Sequence, residues 1–171
     1  MRVLWAPWRL SYVEGAAPND GCIFCTMPAR EGPAARRDAL VLAADDLASV
    51  MMNRFPYAHA HLMVAPRRHT SDLLDLDAAT SAAIHDRVRA AVAVLKAEYA
   101  PQGFNIGINV GRAAGAGIAD HLHWHVVPRW EGDTNFMPTL ADTRVMPQHI
   151  EETYDRLLQQ FARLASVAPA P

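Results

Sequence analysis

The stretch Asp120 to Trp130, "DHLHWHVVPRW", sets His121, His123 and His125 two residues apart. A spacing of two is the strand period, not the helix period. It predicts a strand over 120–128, with three imidazoles on one face and Leu122, Trp124 and Val126 on the other. Successive rings on such a face lie roughly 6–7 Å apart. That is about the reach of a small polyphosphate, so a row of ring nitrogens could face one ligand.

Working outward, "GFNIGINVG" (103–111) also alternates. Phe104, Ile106 and Ile108 point one way, and Asn105, Gly107 and Asn109 the other. A small, glycine-containing loop of about ten residues joins the two runs, which makes them antiparallel neighbours. Such pairing puts the Asn and His faces on one side of the sheet. Upstream, "ALVLAADDLASVMMN" (39–53) reads as two short strands around an Asp45-Asp46 turn, and "HLMVAP" (61–66) as a third strand stopped by Pro66. "MPAREGPAARRD" (27–38) reads as a loop.

Two segments carry the helix period instead. From Asp77 to Tyr99, Ile84, Val88, Val92, Leu95 and Tyr99 form one face, with Asp77 as N-cap and Pro101 and Gly103 as the stop. A C-terminal helix over about 147–165 opens at Pro147 and turns Ile150, Tyr154, Leu157, Leu158, Phe161 and Leu164 inward. Glu151 and Glu152 stand at its positive N-terminal end. Strands in the middle with helices set apart predict an α+β fold: an antiparallel sheet of about five strands, covered on one face by a central helix and a C-terminal helix.

The chain of 171 residues fits a single domain over 1–171. Trp5 and Trp8 are expected to anchor an irregular N-terminal segment on the core, and 166–171 to be disordered. With 51% hydrophobic and 20% charged residues the composition is that of an ordinary globular protein. The net charge of −2 argues against a nucleic-acid partner. No apolar run approaches about 18 residues, so no membrane span is expected. Cys22 and Cys25, the only cysteines, stand too close together for a secreted disulfide framework. These features point to the cytoplasm.

"HLHWHVVP" (121–128) alternates histidine with apolar residues and so resembles the histidine-triad (HIT) superfamily of nucleotide hydrolases and transferases. "NRFPYAHAHLMVAPRRH" (53–69) is similar to that family's upstream strand and turn, and "CIFC" (22–25) to its metal-binding branch. Together these cover about 22–130. "LWAPWR" (4–9) and "RWEGDTNF" (129–136) resemble a bacterial subgroup containing diadenosine tetraphosphate phosphorylases.

The resemblance implies a HIT-like fold, a nucleotide substrate, no organic cofactor and a homodimer. It assigns His123 as the nucleophile that attacks an α-phosphorus. An imidazole can do this near neutral pH, because part of its population is already uncharged. His125 would contact phosphate oxygens and help the leaving group depart. Without the resemblance, the triplet is also compatible with a solvated strand face or a transition-metal site.

By the same resemblance Asn53 binds ribose hydroxyls, and His61, eight residues on, approaches the phosphates. The alternative for Asn53 is a turn residue before Pro56. Asn109 would touch phosphate or leaving group, or else cap a strand end. The loop "GRAAGAGIAD" (111–120) departs from the family, lacking the usual Gln-Ser or Gln-Thr. Backbone N–H groups at Gly115 and Gly117 remain to cradle phosphates.

Cys22 and Cys25 have zinc-knuckle spacing. The family's zinc branch completes the set with positions matching His69 and His121, for a structural rather than catalytic ion. A redox pair or two buried thiols are the alternatives. Zinc at His121 conflicts with strict alternation, which sets His121 beside His123. His59 reads as a loop residue, His85 and His149 as surface, Trp124 and the methionines as core. Arg36, Arg37, Arg67 and Arg68 read as solvated charges, and Trp130 as a residue at the substrate's edge.

Overall fold

The computed structural model describes residues 21–133 and 146–167. The readings for Trp5 and Trp8, for the connector after Asp133 and for 168–171 lie outside them, whereas residues 166 and 167, expected to be disordered, continue the C-terminal helix. Element order is α1 (Ile23–Thr26), α2 (Pro33–Asp38), β1 (Val41–Ala44), β2 (Ala48–Met52), β3 (Leu62–Pro66), α3 (Ala78–Tyr99), β4 (Gly103–Ile108), β5 (Trp124–Arg129) and α4 (Ile150–Val167). The strands form one antiparallel sheet in the order β1-β2-β3-β5-β4. The fold class is α+β, as expected. No helix among the described residues is long and apolar enough to cross a membrane.

Each face of the sheet follows from the pleat. Val50, Met52, Leu62, Val64 and Val126 point to one side and pack with Ile84, Val94 and Leu95 of α3 and Tyr154, Leu157 and Phe161 of α4. Val41, Met51, Met63 and Ala65 point to the other side and meet Phe24 of α1. β5 crosses both environments. Met63 of β3 and Gly107 of β4 both stand opposite His125, so His125 shares a face with Met63. The same register puts Asn105 and Gly107 on the histidine side, as the alternation predicts.

Helix boundaries obey local chemistry. The Asp77 side chain caps α3 by accepting from the Thr80 N–H at 2.7 Å. Its last turn closes through Ala100, which is left-handed at φ 46 before Pro101. Pro33 stands in the first turn of α2, within the stretch read as a loop. α4 starts at Ile150 rather than Pro147, and it buries Thr153, Tyr154, Leu157 and Phe161. Leu158 and Leu164 were expected inside but are 38% and 40% exposed. They fall on the flank of a helix that touches the sheet along a narrow stripe.

The strand carrying the histidines is shorter than its alternation suggests. β5 begins at Trp124, not Asp120. Continuing the β3–β5 register would set Leu122 against Pro66, which has no N–H to donate. The Leu122 N–H instead donates to the Thr70 carbonyl at 2.8 Å. His121 is therefore off the strand.

Candidate active site and metal-binding cluster

That early departure separates the three histidines. His123 and His125 stay together, their rings 5.0 Å apart and edge to face. This is closer than a flat strand face gives, and it corrects the expected spacing. His121 turns instead to Cys22, Cys25 and His69. The conflict between zinc and strict alternation is thereby resolved, because His121 does not obey the alternation.

The four donor atoms of Cys22, Cys25, His69 and His121 lie within 4.8 Å of one another. Cys22 Sγ and Cys25 Sγ are 3.2 and 3.5 Å from His121 Nδ1. Cys25 Sγ is 3.4 Å from His69 Nδ1, and the two Nδ1 atoms are 3.1 Å apart. A tetrahedron with ordinary zinc–nitrogen and zinc–sulfur bonds has edges of about 3.3–3.8 Å. The four edges given above, at 3.1–3.5 Å, lie close to that range. His121 Nε2 faces the Pro66 carbonyl at 2.9 Å, so Nε2 carries the proton and Nδ1 offers a lone pair. Such a backbone partner on the far nitrogen is what an imidazole ligand needs. Burial raises the Cys22 pKa, and it lowers that of His121. Both donors are thus held neutral unless a cation compensates.

The catalytic candidates show an equally defined pattern. His123 is 4% exposed, and its Nδ1 donates to the His121 carbonyl at 2.9 Å. A carbonyl only accepts, so Nδ1 bears the proton and the lone pair sits on Nε2. Burial lowers the His123 pKa, which favours the uncharged ring. His61 is 1% exposed. The Tyr57 backbone N–H donates to its Nδ1 at 3.1 Å, so its proton is on Nε2 and points to His125 Nδ1 at 3.0 Å. His125 is left with its proton on Nε2. One ring of the row thus presents a lone pair and its neighbour an N–H.

Asn53 is half-buried, and both of its readings have a physical basis. Its Oδ1 accepts from the Phe55 N–H at 2.9 Å, as a turn residue would, and its amide group reaches His61 Nδ1 at 3.3 Å. A second lone pair and a second N–H remain for a diol. Asn109 is the first residue after β4, whose last pair sets Ile108 opposite Trp124. Gly117 lies exposed in the loop before the triplet, and the next residue, Ile118, packs against the cluster around Phe24 and Met63. The loop therefore folds over the histidine face.

Other expectations divide. His85 and His149 are exposed, and His59 is in a loop. Trp130 packs near His59 and donates its indole N–H to the Tyr99 carbonyl at 3.2 Å. Arg129 pairs with Asp133 at 2.6 Å and also donates to Asn105 Oδ1. Arg37 is not merely solvated: it makes a two-pronged pair with Asp155 of α4 at 2.9 and 2.8 Å. Arg67 is half-buried. A cleft of about 470 Å³ opens between the 53–61 segment and the start of α4, walled by Asn53, His59 and His61 on one side and Gln148, Ile150 and Thr153 on the other.

Two residues that the sequence reading passed over touch the site. Phe24 stacks on His123, with centroids 4.7 Å apart and planes 25° from parallel. Tyr57 supplies the backbone donor to His61 and lays its ring 4.7 Å from His61 and 5.5 Å from His125. Phe24 was visible in "CIFC", as the residue framed by the two cysteines.

Known proteins are similar to this chain in sequence and fold. An AP-4-A phosphorylase of Mycobacterium tuberculosis (strain ATCC 25618 / H37Rv) is 38% identical over 165 residues, covering 94% of this chain and 84% of that protein. An adenylylsulfatase of Arabidopsis thaliana is 29% identical over 121 residues, covering 71% of this chain and 58% of that protein. The crystal structure of a Zn-bound histidine triad family protein from Mycobacterium smegmatis superposes with a TM-score of 0.66 at 29% identity, covering 86% of this chain and 98% of that one. Residues 35–132 match the HIT domain. On its sequence, its sheet and its two paired histidines, this chain belongs to the HIT family.

Proposed function

We propose that this chain cleaves a dinucleoside polyphosphate, such as diadenosine tetraphosphate, through a covalent nucleotidyl-histidine. The observation that carries the reading is the tautomer of His123, whose Nδ1 proton is held by the His121 carbonyl so that the lone pair sits on Nε2. The Nε2 lone pair attacks the α-phosphorus, and a P–N bond forms as the P–O bond to the polyphosphate breaks. His125 gives its Nε2 proton to the departing oxygen, since its Nδ1 is occupied as an acceptor from His61. Phosphate or water then attacks the same phosphorus and returns a proton to His125 Nε2. The P–N bond breaks, and its electron pair returns to Nε2.

Asn53 is the ribose contact in this scheme, and His61 holds His125 in register. Asn109 and the backbone at Gly117 line the path of the leaving group. The similarity to an AP-4-A phosphorylase over nearly the whole chain supports phosphate as the acceptor. A zinc ion held by Cys22, Cys25, His69 and His121 is structural in this reading. The fit of the donor set and the Zn-bound neighbour support it. Thiolate ligands require a reducing compartment, which suits the cytoplasm. We assign a homodimer on family grounds; β4 is a sheet edge, and Ile106 on it is 48% exposed. The second reading is an adenylate or phosphoramidate hydrolase, favoured by the likeness to an adenylylsulfatase.

Incubating the protein with diadenosine tetraphosphate, with and without phosphate, tests the assignment. ADP plus ATP is the expected product pair with phosphate. AMP plus ATP in its presence makes water the acceptor, and unchanged substrate overturns the substrate class.

A further inference from the structure

The HIT assignment leaves Phe24 without a role, yet it is fully buried at 0% exposure and lies flat on the His123 ring. Its position is set by its neighbours. Cys22 and Cys25 bracket it together with Ile23, and the Cys22 carbonyl accepts from the N–H groups of Cys25 and Thr26 at 3.0 Å each. Phe24 therefore projects from a single tight turn whose two ends are both thiol donors. That turn is too short to hold itself as an isolated helix.

The other restraint on His123 starts from the same cluster. Its Nδ1 proton is held by the carbonyl of His121, and the His121 ring is held by the donor cluster on Nδ1 and by Pro66 on Nε2. Phe24 also packs against His121, with centroids 5.3 Å apart. One side of the nucleophile's ring and one of its two nitrogens are thus fixed by residues of the Cys22–Cys25–His69–His121 group or by the residue between them. His125 packs edge to face with the same ring.

We propose that Phe24 is a positioning residue for His123, and that the metal-binding cluster fixes the nucleophile's aim through the Phe24 ring and the His121 carbonyl. This rests on the reading of His123 as nucleophile. Loss of the restraint leaves the ring free to tilt about its Cβ–Cγ bond, moving Nε2 off the line of attack. Misplacement by about 1 Å can cost about a hundredfold in rate. Nucleotide binding does not use Phe24 in this account, so affinity is spared.

The test uses Phe24→Leu, which keeps apolar volume and removes the ring, in zinc-loaded full-length protein. Three quantities are read: the rate of nucleotidyl-enzyme formation in a single turnover with diadenosine tetraphosphate, the Kd of a non-cleaved nucleotide analogue, and the ring C–H resonances of His123. The expected result is a rate lowered about tenfold to a hundredfold, a Kd within about twofold and metal content unchanged. The His123 resonances lose the upfield displacement that a stacked ring imposes. An unchanged rate, an equal loss in Kd or unmoved His123 resonances overturns the proposal.

His123→Ala is the control for the underlying reading. If it still forms the covalent adduct, the nucleophile is misassigned. If it forms none while Phe24→Leu keeps full rate, only the positioning role falls. Should Phe24→Leu fail to fold, the wild-type zinc protein decides. Its His123 ring must show the stacking displacement and be immobile by relaxation, and a mobile, undisplaced ring overturns the proposal. Stripping the zinc with a chelator is expected to mobilise that ring, and zinc chloride alone to restore it; a ring unaffected by stripping overturns the link to the cluster.

Discussion

The two faces of the sheet are built by the same strands for opposite ends. The helix side is mainly apolar, and its stability comes from area removed from water by Val50, Leu62, Val126, Leu95 and Leu157. The histidine side carries His61, His121 and His123 at 1%, 1% and 4% exposure, within a much smaller apolar cluster. Buried imidazoles cost free energy unless each polar nitrogen finds a partner. Here one nitrogen of each ring has a main-chain partner: the Tyr57 amide for His61, the His121 carbonyl for His123 and the Pro66 carbonyl for His121. One face stores stability, and the other uses it to hold rings in chosen tautomers.

The contrast is sharpest for function. His123→Ala is expected to abolish the covalent adduct and lower kcat by about 10³-fold or more, as loss of a nucleophile does, with cooperative unfolding retained. Rapid quench with a radiolabelled nucleotide measures it, and near-normal turnover would break the contrast. On the helix side the order reverses. Leu157 is 0% exposed, and Leu157→Ala is expected to cost about 2–5 kcal/mol of stability. Urea titration reads this, while kcat per folded molecule should not move.

A smaller effect sharpens the comparison at the boundary between the faces. Burial, and then the charge of Arg156, lowers the pKa of His59 below its ordinary 6.5. The unfolded chain therefore binds a proton more readily than the folded one between 6.5 and the lower folded value. Stability from this group is fully present above 6.5 and declines as pH falls through that window. His59→Phe is expected to flatten the acid side of the melting-temperature profile relative to wild type. An unchanged slope would remove His59 from the account.

Much of this was readable in the residues. The alternation in 103–108 and 124–129, the Asp45-Asp46 turn and the Asp77 cap are local signals, and local chemistry decided them. Among the candidate metal donors, Cys22 and Cys25 stood out by their spacing, while His69 and His121, on two other segments, came only from the family resemblance. What escaped was non-local. Nothing within 120–128 reveals that Pro66, more than fifty residues earlier, faces the start of that run and ends its ladder. Phe24 escaped because a phenylalanine between two cysteines has no pattern that distinguishes a ring stacked on a histidine from ordinary core. Leu158 and Leu164 were misplaced because periodicity gives a helix's apolar side but not the width of its contact. α2 was the avoidable miss, since Gly32-Pro33 is a helix-start signal.

The protonation pattern of the histidine row ends on main-chain atoms: the Tyr57 amide, the His121 carbonyl and the Pro66 carbonyl. Side-chain replacements cannot delete a peptide group. Mutational drift at these three positions can alter packing or metal affinity, yet it leaves each hydrogen-bonding atom in existence. Among the twenty amino acids only proline at position 57 would erase one of them. The tautomers are in that sense written into the polymer rather than into its alphabet.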